Sequence, residues 1–391
     1  MPASDLHDAP VLASRNSAID VLRGLSILLV IIHHLALPFR LPLSQGPLPD
    51  LFGSRLINAL GFNGYSAVYT FFVISGFLIA GRAISRHGSL AAIDIRSFYV
   101  YRASRILPLL LALLALLSLL HLLGVPGYVI DKPGQSLGGA LMSALGLYLN
   151  WYEGRTTWLP ANWDVLWSLS IEELFYLVFP LLCVWLPRPL LVIGLVVLVV
   201  SLPWTRGLLD GQEIWQEKAY LPAMSAIAAG VLAAMLWRSL QPSRAFARCL
   251  CALGALGLYL SMAWGGELWR ALRHSSLLFL IGSVVVLLLG CAWGRLGAPR
   301  GLGWLAALGR LSYELYLTHM FVVLALVAAY KYAFEQDYYW AFAVYPVSLA
   351  ACAALAWGVQ RHFCQPCESS LRARYARLAK PIPVSQNGAS H

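Results

Sequence analysis

The sequence predicts an all-α polytopic membrane protein of about ten transmembrane helices plus one short re-entrant or interfacial segment. Three observations carry that expectation. Of the 391 residues, 59% are hydrophobic and only 12% are charged, whereas a soluble chain carries about 25% charged residues. Mean hydropathy is +0.69. Apolar runs recur from end to end without a soluble-looking block between them, so the chain reads as one membrane domain.

A span needs about 20 apolar residues. The candidate runs are 19–39, 62–81, 104–124, 165–186, 189–204, 219–237, 246–264, 275–294, 303–330 and 339–360. An eleventh run, 137–149, is too short to cross. Residues 1–16 are polar with both signs of charge, and no small-residue cleavage site closely follows the first run. That run is therefore expected to be a retained span rather than a cleaved signal. Pro38, Pro108, Pro126, Pro180, Pro187 and Pro203 mark span ends, and Pro187 and Pro189 predict a tight hairpin.

Charge sets the orientation. With the N-terminus cytoplasmic and 137–149 not crossing, the Arg-rich stretches all fall inside. They are Arg82, Arg86, Arg96 and Arg102; Arg238, Arg244 and Arg248; Arg295, Arg300 and Arg310; and Arg361, Arg372, Arg374, Arg377 and Lys380. The expected order is a polar cytoplasmic tail (1–16), a membrane domain (17–366) and a basic cytoplasmic tail (367–391), disordered beyond Pro381. The net charge of +10 is then a consequence of topology, and no nucleic-acid partner is indicated. The seven cysteines are odd in number and several lie inside apolar runs, so no disulfide framework is expected. The Cys364–Cys367 spacing lacks a second pair or a histidine cluster, and no metal site is expected.

Ionisable groups inside a bilayer cost several kcal/mol, which makes each a functional candidate. Arg23 and His34 are eleven positions apart, about 16 Å along one face of a helix. His33 points about 100° away. Arg102 and Arg105 share a face at the inner surface, where guanidinium forks suit the phosphates of a cytoplasmic donor. Glu172 and Glu173 enter a span from the outer side, and Glu172 either orients a histidine or pairs with an arginine. On the 303–330 run, Arg310 lies near the cytoplasm and His319 in the outer half. Histidines and a glutamate thus sort to the outer half and arginines to the inner surface. This sorting suggests a path from an inner phosphate-bearing donor to an outer acceptor. The aromatic 125–164 segment, with Trp151, Tyr152, Trp158 and Trp163, is expected to be an interfacial belt rather than a sugar-stacking surface.

These segments together resemble the acyltransferase-3 family of bacterial membrane O-acyltransferases, from Asp20 to about Pro366. Asp20-Val-Leu-Arg23-Gly24-Leu…His34 is similar to the family's Arg-x10-His signature. Phe71-Phe-Val-Ile-Ser75-Gly76-Phe, Arg102-Ala-Ser-Arg105-Ile-Leu-Pro108, Trp167-Ser-Leu-Ser-Ile-Glu172-Glu-Leu-Phe-Tyr176 and Leu308-Gly-Arg-Leu-Ser-Tyr313…Tyr316-Leu-Thr-His319 match four further blocks in order. Tyr69 departs from the family's Asp, and Gln365-Pro366 from its late Glu-Pro. At Ser75 and Gly76, close helix packing is expected rather than catalysis. The resemblance implies a stand-alone form without a fused hydrolase-like domain, in a bacterial inner membrane. It implies acyl transfer, usually of acetyl, from cytoplasmic acyl-coenzyme A to a hydroxyl of a glycan or lipid-linked saccharide. The implied catalytic set is His34, Glu172 and His319, with His34 as base or acyl carrier. The implied donor-binding set is Arg23, Arg102, Arg105 and Arg310. A transporter or flippase would account equally for intramembrane charge, but not for the motif set, and internal repeats are absent. A non-catalytic subunit of an envelope complex is the third reading.

Overall fold

The computed structural model describes residues 16–37, 40–335 and 337–378. Residues 1–15 of the expected 1–16 tail and the residues beyond 378, including Pro381, lie outside the described residues, as does Pro38. Among the described residues there is no strand, and nine helices are long and apolar enough to cross a membrane. A tenth, Arg188–Val200, is apolar but shorter.

The first helix, α1 (Ser17–Ala36), starts at Asn16, whose side chain accepts hydrogen bonds from the Ala18 and Ile19 amides. This cap supplies partners for donors that a helix start leaves open. Next come α2 (Gly64–His87) and α3 (Ile95–Leu122). Two short helices, α4 (Leu137–Leu145) and α5 (Leu149–Thr156), precede α6 (Ala161–Trp185). Then follow α7 (Arg188–Val200), α8 (Tyr220–Ser239), α9 (Arg244–Ala263) and α10 (Ser276–Trp293). The series ends with α11 (Gly303–Arg310), α12 (Ser312–Phe334), α13 (Val344–Val359) and α14 (Gln365–Leu378).

Three boundaries differ from expectation. The 303–330 run is two helices, broken at Leu311. Pro108 and Pro180 lie inside α3 and α6 rather than at their ends, a placement that neighbouring helices and side chains make tolerable in a membrane. The start of the expected basic tail is α14, joined to α13 by a π-helical turn at Gln360–Cys364. The Pro187 hairpin is present, with α6 ending at Trp185 and α7 starting at Arg188.

The two faces of the bundle are fixed by hydrogen bonds between distant segments. On one, Asn16 Nδ2 reaches the Cys291 carbonyl at 3.0 Å and the Ala298 amide reaches Ser17 Oγ at 2.8 Å. Arg372 of α14 reaches Ser104 Oγ at 3.2 Å. The start of α1, the end of α10, the first turns of α3 and the α14 helix therefore share this basic face. On the opposite face, Tyr345 bonds the Leu41 carbonyl at 2.6 Å, and Asn150 of α5 bonds the Lys218 carbonyl at 3.0 Å. The 137–149 run stays at this end. Its α4 helix has nine residues, about 14 Å, which is half a hydrocarbon core.

Helix crossings depend on glycine. A Cβ at Gly24 would collide with the Leu305 carbonyl, and one at Gly309 with the Asp20 carbonyl, so α1 and α11 touch backbone to backbone. Gly76 and Gly230 do the same for α2 and α8. Without a hydrophobic drive between helices in lipid, such close approach is what holds them together. The core of α2 is aromatic, with Tyr69 fully buried between Tyr65 and Phe72.

Two outcomes are expected. Gly24→Leu and Gly76→Leu each lower the melting temperature in detergent, at a cost of about 1–3 kcal/mol. Gly282→Ala, where a Cβ meets open space, stays within about 0.5 kcal/mol of wild type. Topology reporters fused at 155 and 242 report opposite sides of the membrane; agreement between them would contradict this arrangement.

Candidate functional site

The last turn of α1 carries His33 and His34, and α12 carries His319 one turn after Tyr316. The fold brings them together: the His34 and His319 rings lie 5.1 Å apart, and those of His33 and His34 lie 5.7 Å apart. His319 Nδ1 lies 3.1 Å from the Leu315 carbonyl and 2.9 Å from the Tyr316 carbonyl. A carbonyl only accepts, so Nδ1 carries the proton and Nε2 is left with a bare lone pair. That Nε2 is buried and has no hydrogen-bond partner among the described residues, and the same holds for His34 Nδ1. Arg40 donates to the His34 carbonyl and closes the end of α1.

His33 and His34 line a small cavity of about 40 Å³ together with Asp164, Trp167, Glu217 and Tyr316. This has room for about two or three waters. His33, expected to point elsewhere, joins the cavity wall, with Nδ1 3.1 Å from the Gly61 carbonyl. Tyr316 is oriented by Val165 O at 3.0 Å and Ser168 Oγ at 2.7 Å.

Behind the cavity is a buried ionic cluster. Lys218 and Glu153 are both fully buried. Lys218 Nζ lies 2.9 Å from Glu153 Oε2 and also bonds Asp164 Oδ1. Glu153 Oε1 accepts from the Leu159 amide at 2.9 Å. Burial pushes the Glu153 carboxyl well above its ordinary range, and the Lys218 ammonium beside it pulls the other way. Trp163, expected in an interfacial belt, is instead fully buried next to this cluster in sequence, whereas Trp151 is exposed.

Glu172 does not join the histidines. It lies eight positions after Asp164 on α6, about 12 Å deeper into the bundle. There it bonds Ser75 and Tyr176, and lies 3.7 Å from Arg102 Nη2. Glu173 takes both Nε and Nη2 of Arg102, at 3.2 and 2.9 Å. The Arg102 guanidinium also covers the Tyr176 ring at 3.7 Å. The grouping of Glu172 with His34 and His319 is thereby corrected: at its depth the available partner is a guanidinium, and Asp164 occupies the level of the histidines. The expectation for Ser75 and Gly76 divides. Gly76 makes a helix crossing, while Ser75 belongs to the carboxylate network.

The basic face holds the other predicted residues. Arg23 Nη2 bonds Ser312 Oγ at 2.7 Å, and Nη1 lies 3.9 Å from Asp20. Arg105 and Arg23 both act electrostatically on Glu314, buried at the start of α12. Arg310 is exposed at the end of α11. Arg102 is thus drawn into an internal ion pair, while Arg23 and Arg105 converge near Glu314.

Asp164, Glu153, Lys218 and Arg40 were not singled out from sequence. Their signal was weak, because Asp164 and Lys218 each sit one residue outside an apolar run, where charge is ordinary.

The described residues form a multi-span helical bundle with a histidine-lined cavity toward one end and Arg23, Arg105 and Arg310 toward the other. The chain belongs to the acyltransferase-3 family, whose acyltransferase domain matches residues 16–357. It is similar to the O-acetyltransferase OatA of Staphylococcus aureus strain NCTC 8325, 29% identical over 182 residues, 40% of this chain and 28% of that protein. OatA of strain COL gives the same figures. The similarity thus spans 28% of the length of these curated relatives. No solved structure matches the chain.

Arg102→Ala leaves Glu173 without its main partner and is expected to lower stability by about 1–3 kcal/mol. Arg102→Met combined with Glu173→Gln recovers most of that loss in the same thermal assay, because no lone charge remains.

Proposed function

We propose that this protein is a membrane O-acyltransferase that moves an acyl group, acetyl by preference, from acyl-coenzyme A to a hydroxyl of a cell-surface or exported glycan or lipid-linked saccharide. The observation that carries this reading is His34, which lines the cavity with His33 and has the buried His319 ring 5.1 Å behind it, away from Arg23 and Arg105. Family membership and the similarity to named O-acetyltransferases support the reaction class. Coenzyme A thioesters are cytoplasmic, so the basic face is cytoplasmic in this proposal, as the positive-inside rule also requires. Both termini then lie in the cytoplasm and the membrane is the bacterial inner membrane.

His34 acts as general base. His319, its ring 5.1 Å from that of His34 and its Nε2 lone pair without a partner among the described residues, stands close enough to steady His34 once His34 has taken a proton. His34 takes the acceptor hydroxyl proton, the oxygen attacks the thioester carbonyl, an ester C–O bond forms and the C–S bond breaks. The sulfur leaves as the thiol with the proton that His34 returns. Arg23, Arg105 and Arg310 hold the donor phosphates, with charge-assisted hydrogen bonds suited to that geometry. Arg102 contributes through the Glu172–Glu173 network instead of contacting phosphate. The donor's acyl arm has to cover the distance from Arg23 to His34, about 16 Å along α1.

With membranes containing the full chain and labelled acetyl-coenzyme A, His34→Ala is expected to lower transfer by at least about 100-fold. Arg105→Ala is expected to raise the donor KM about tenfold at similar expression. Retained transfer in the His34 variant would remove it as the base.

A further inference from the structure

We infer that Asp164 binds the acceptor hydroxyl, and that the buried Lys218–Glu153 pair is the device that positions it; this rests on the acyl-transfer reading of the histidine cavity. The argument starts from charge balance. A buried ammonium needs a carboxylate close by, because an unpaired charge is expensive to remove from water. Asp164 and Glu153 both bond it, and Glu153 has neither oxygen to spare. Its Oε2 holds Lys218 Nζ at 2.9 Å, and its Oε1 is occupied by the Leu159 amide at 2.9 Å. Both its oxygens are used, and it is fully buried away from the cavity.

Asp164 is therefore a second carboxylate on one ammonium. Its Oδ1 bonds Lys218, while Oδ2 makes no hydrogen bond with any described residue. Its side chain is 23% exposed, against 1% for Lys218. Asp164 also lines the cavity, whose wall it shares with His33, His34, Tyr316 and Trp167. A carboxylate can only accept, so its ligand has to donate. A hydroxyl-rich acceptor meets that need and places a second hydroxyl toward His34. The donor side is remote, since the next carboxylates on α6 are a further 12 Å or so inward and already engaged by Arg102.

The Lys218–Glu153 pair also fixes where Asp164 stands. Glu153 is on α5, Asp164 at the start of α6, and Lys218 ends the short helix Glu213–Lys218, two residues before α8. One ammonium therefore joins three segments behind the cavity wall. Lys218 touches no acceptor and acts only through Asp164, which makes it a positioning residue.

The test uses membranes containing the full chain, [acetyl-14C]coenzyme A as donor, and chemically de-O-acetylated envelope polysaccharide from the source strain as the acceptor probe. Asp164→Asn is expected to raise the acceptor KM about tenfold, as loss of a hydrogen bond to a charged group does. The donor KM should stay within about twofold. Lys218→Met made together with Glu153→Gln removes the positioning pair and leaves the part-exposed Asp164 as the one carboxylate that Lys218 had held. It is expected to fold, by thermal scan, and to show the same rise in acceptor KM. A purely structural role for the cluster would lower the melting temperature and leave acceptor KM unmoved. An unchanged acceptor KM in Asp164→Asn overturns the inference and leaves the transferase reading intact. Wild-type membranes that transfer no label to the polysaccharide overturn that reading, and the inference with it.

Discussion

Inside a bilayer each charged group has to find its partner at its own depth, because no water is there to solvate it. This constraint arranges the polar interior in layers. Nearest one face, Arg23 meets Ser312 and Asp20. Beside it, between α3 and α6, Arg102 meets Glu173, Glu172 and the Tyr176 ring. Toward the other face the histidines cluster, and behind them Lys218 holds Glu153 and Asp164. Each layer joins helices far apart in sequence, so the layers act as ties between helices as well as chemical sites.

Glycine crossings set the distances at which these ties can form. The contact of Gly24 with Leu305 and of Gly309 with Asp20 lays α11 along the first half of α1. The break at Leu311 then lets α12 rise beside the second half of α1, and His319 arrives at His34. One unbroken helix over 303–330 would have kept a single axis across both halves. The chain break and the small residues together place two imidazoles in contact that lie 285 positions apart in sequence.

The layered arrangement separates tasks that a single pocket would combine. The Arg23 guanidinium and the His34 imidazole cannot touch the same reacting atom, since they are about 16 Å apart along α1. A donor with a charged head and a long thin arm fits that separation. In the proposed reaction the head stays with Arg23 and Arg105 while the reactive end reaches His34.

The sequence by itself determined the class of fold, the ten apolar stretches and the two ends of the proposed path. These follow from composition and from motif residues whose depth is read by counting along a helix. His34 and His319 were legible for that reason, as were Arg23 and Arg105. Only the tertiary structure decided who pairs with whom. Glu172 turned to Arg102 because pairing depends on the azimuth and depth of a neighbouring helix, which counting along one chain does not supply. Asp164, Glu153 and Lys218 sit beside span ends, where charge is ordinary, and became a site only when α5, α6 and the segment before α8 met. Hydropathy locates a residue along the membrane normal; packing alone locates it in the plane.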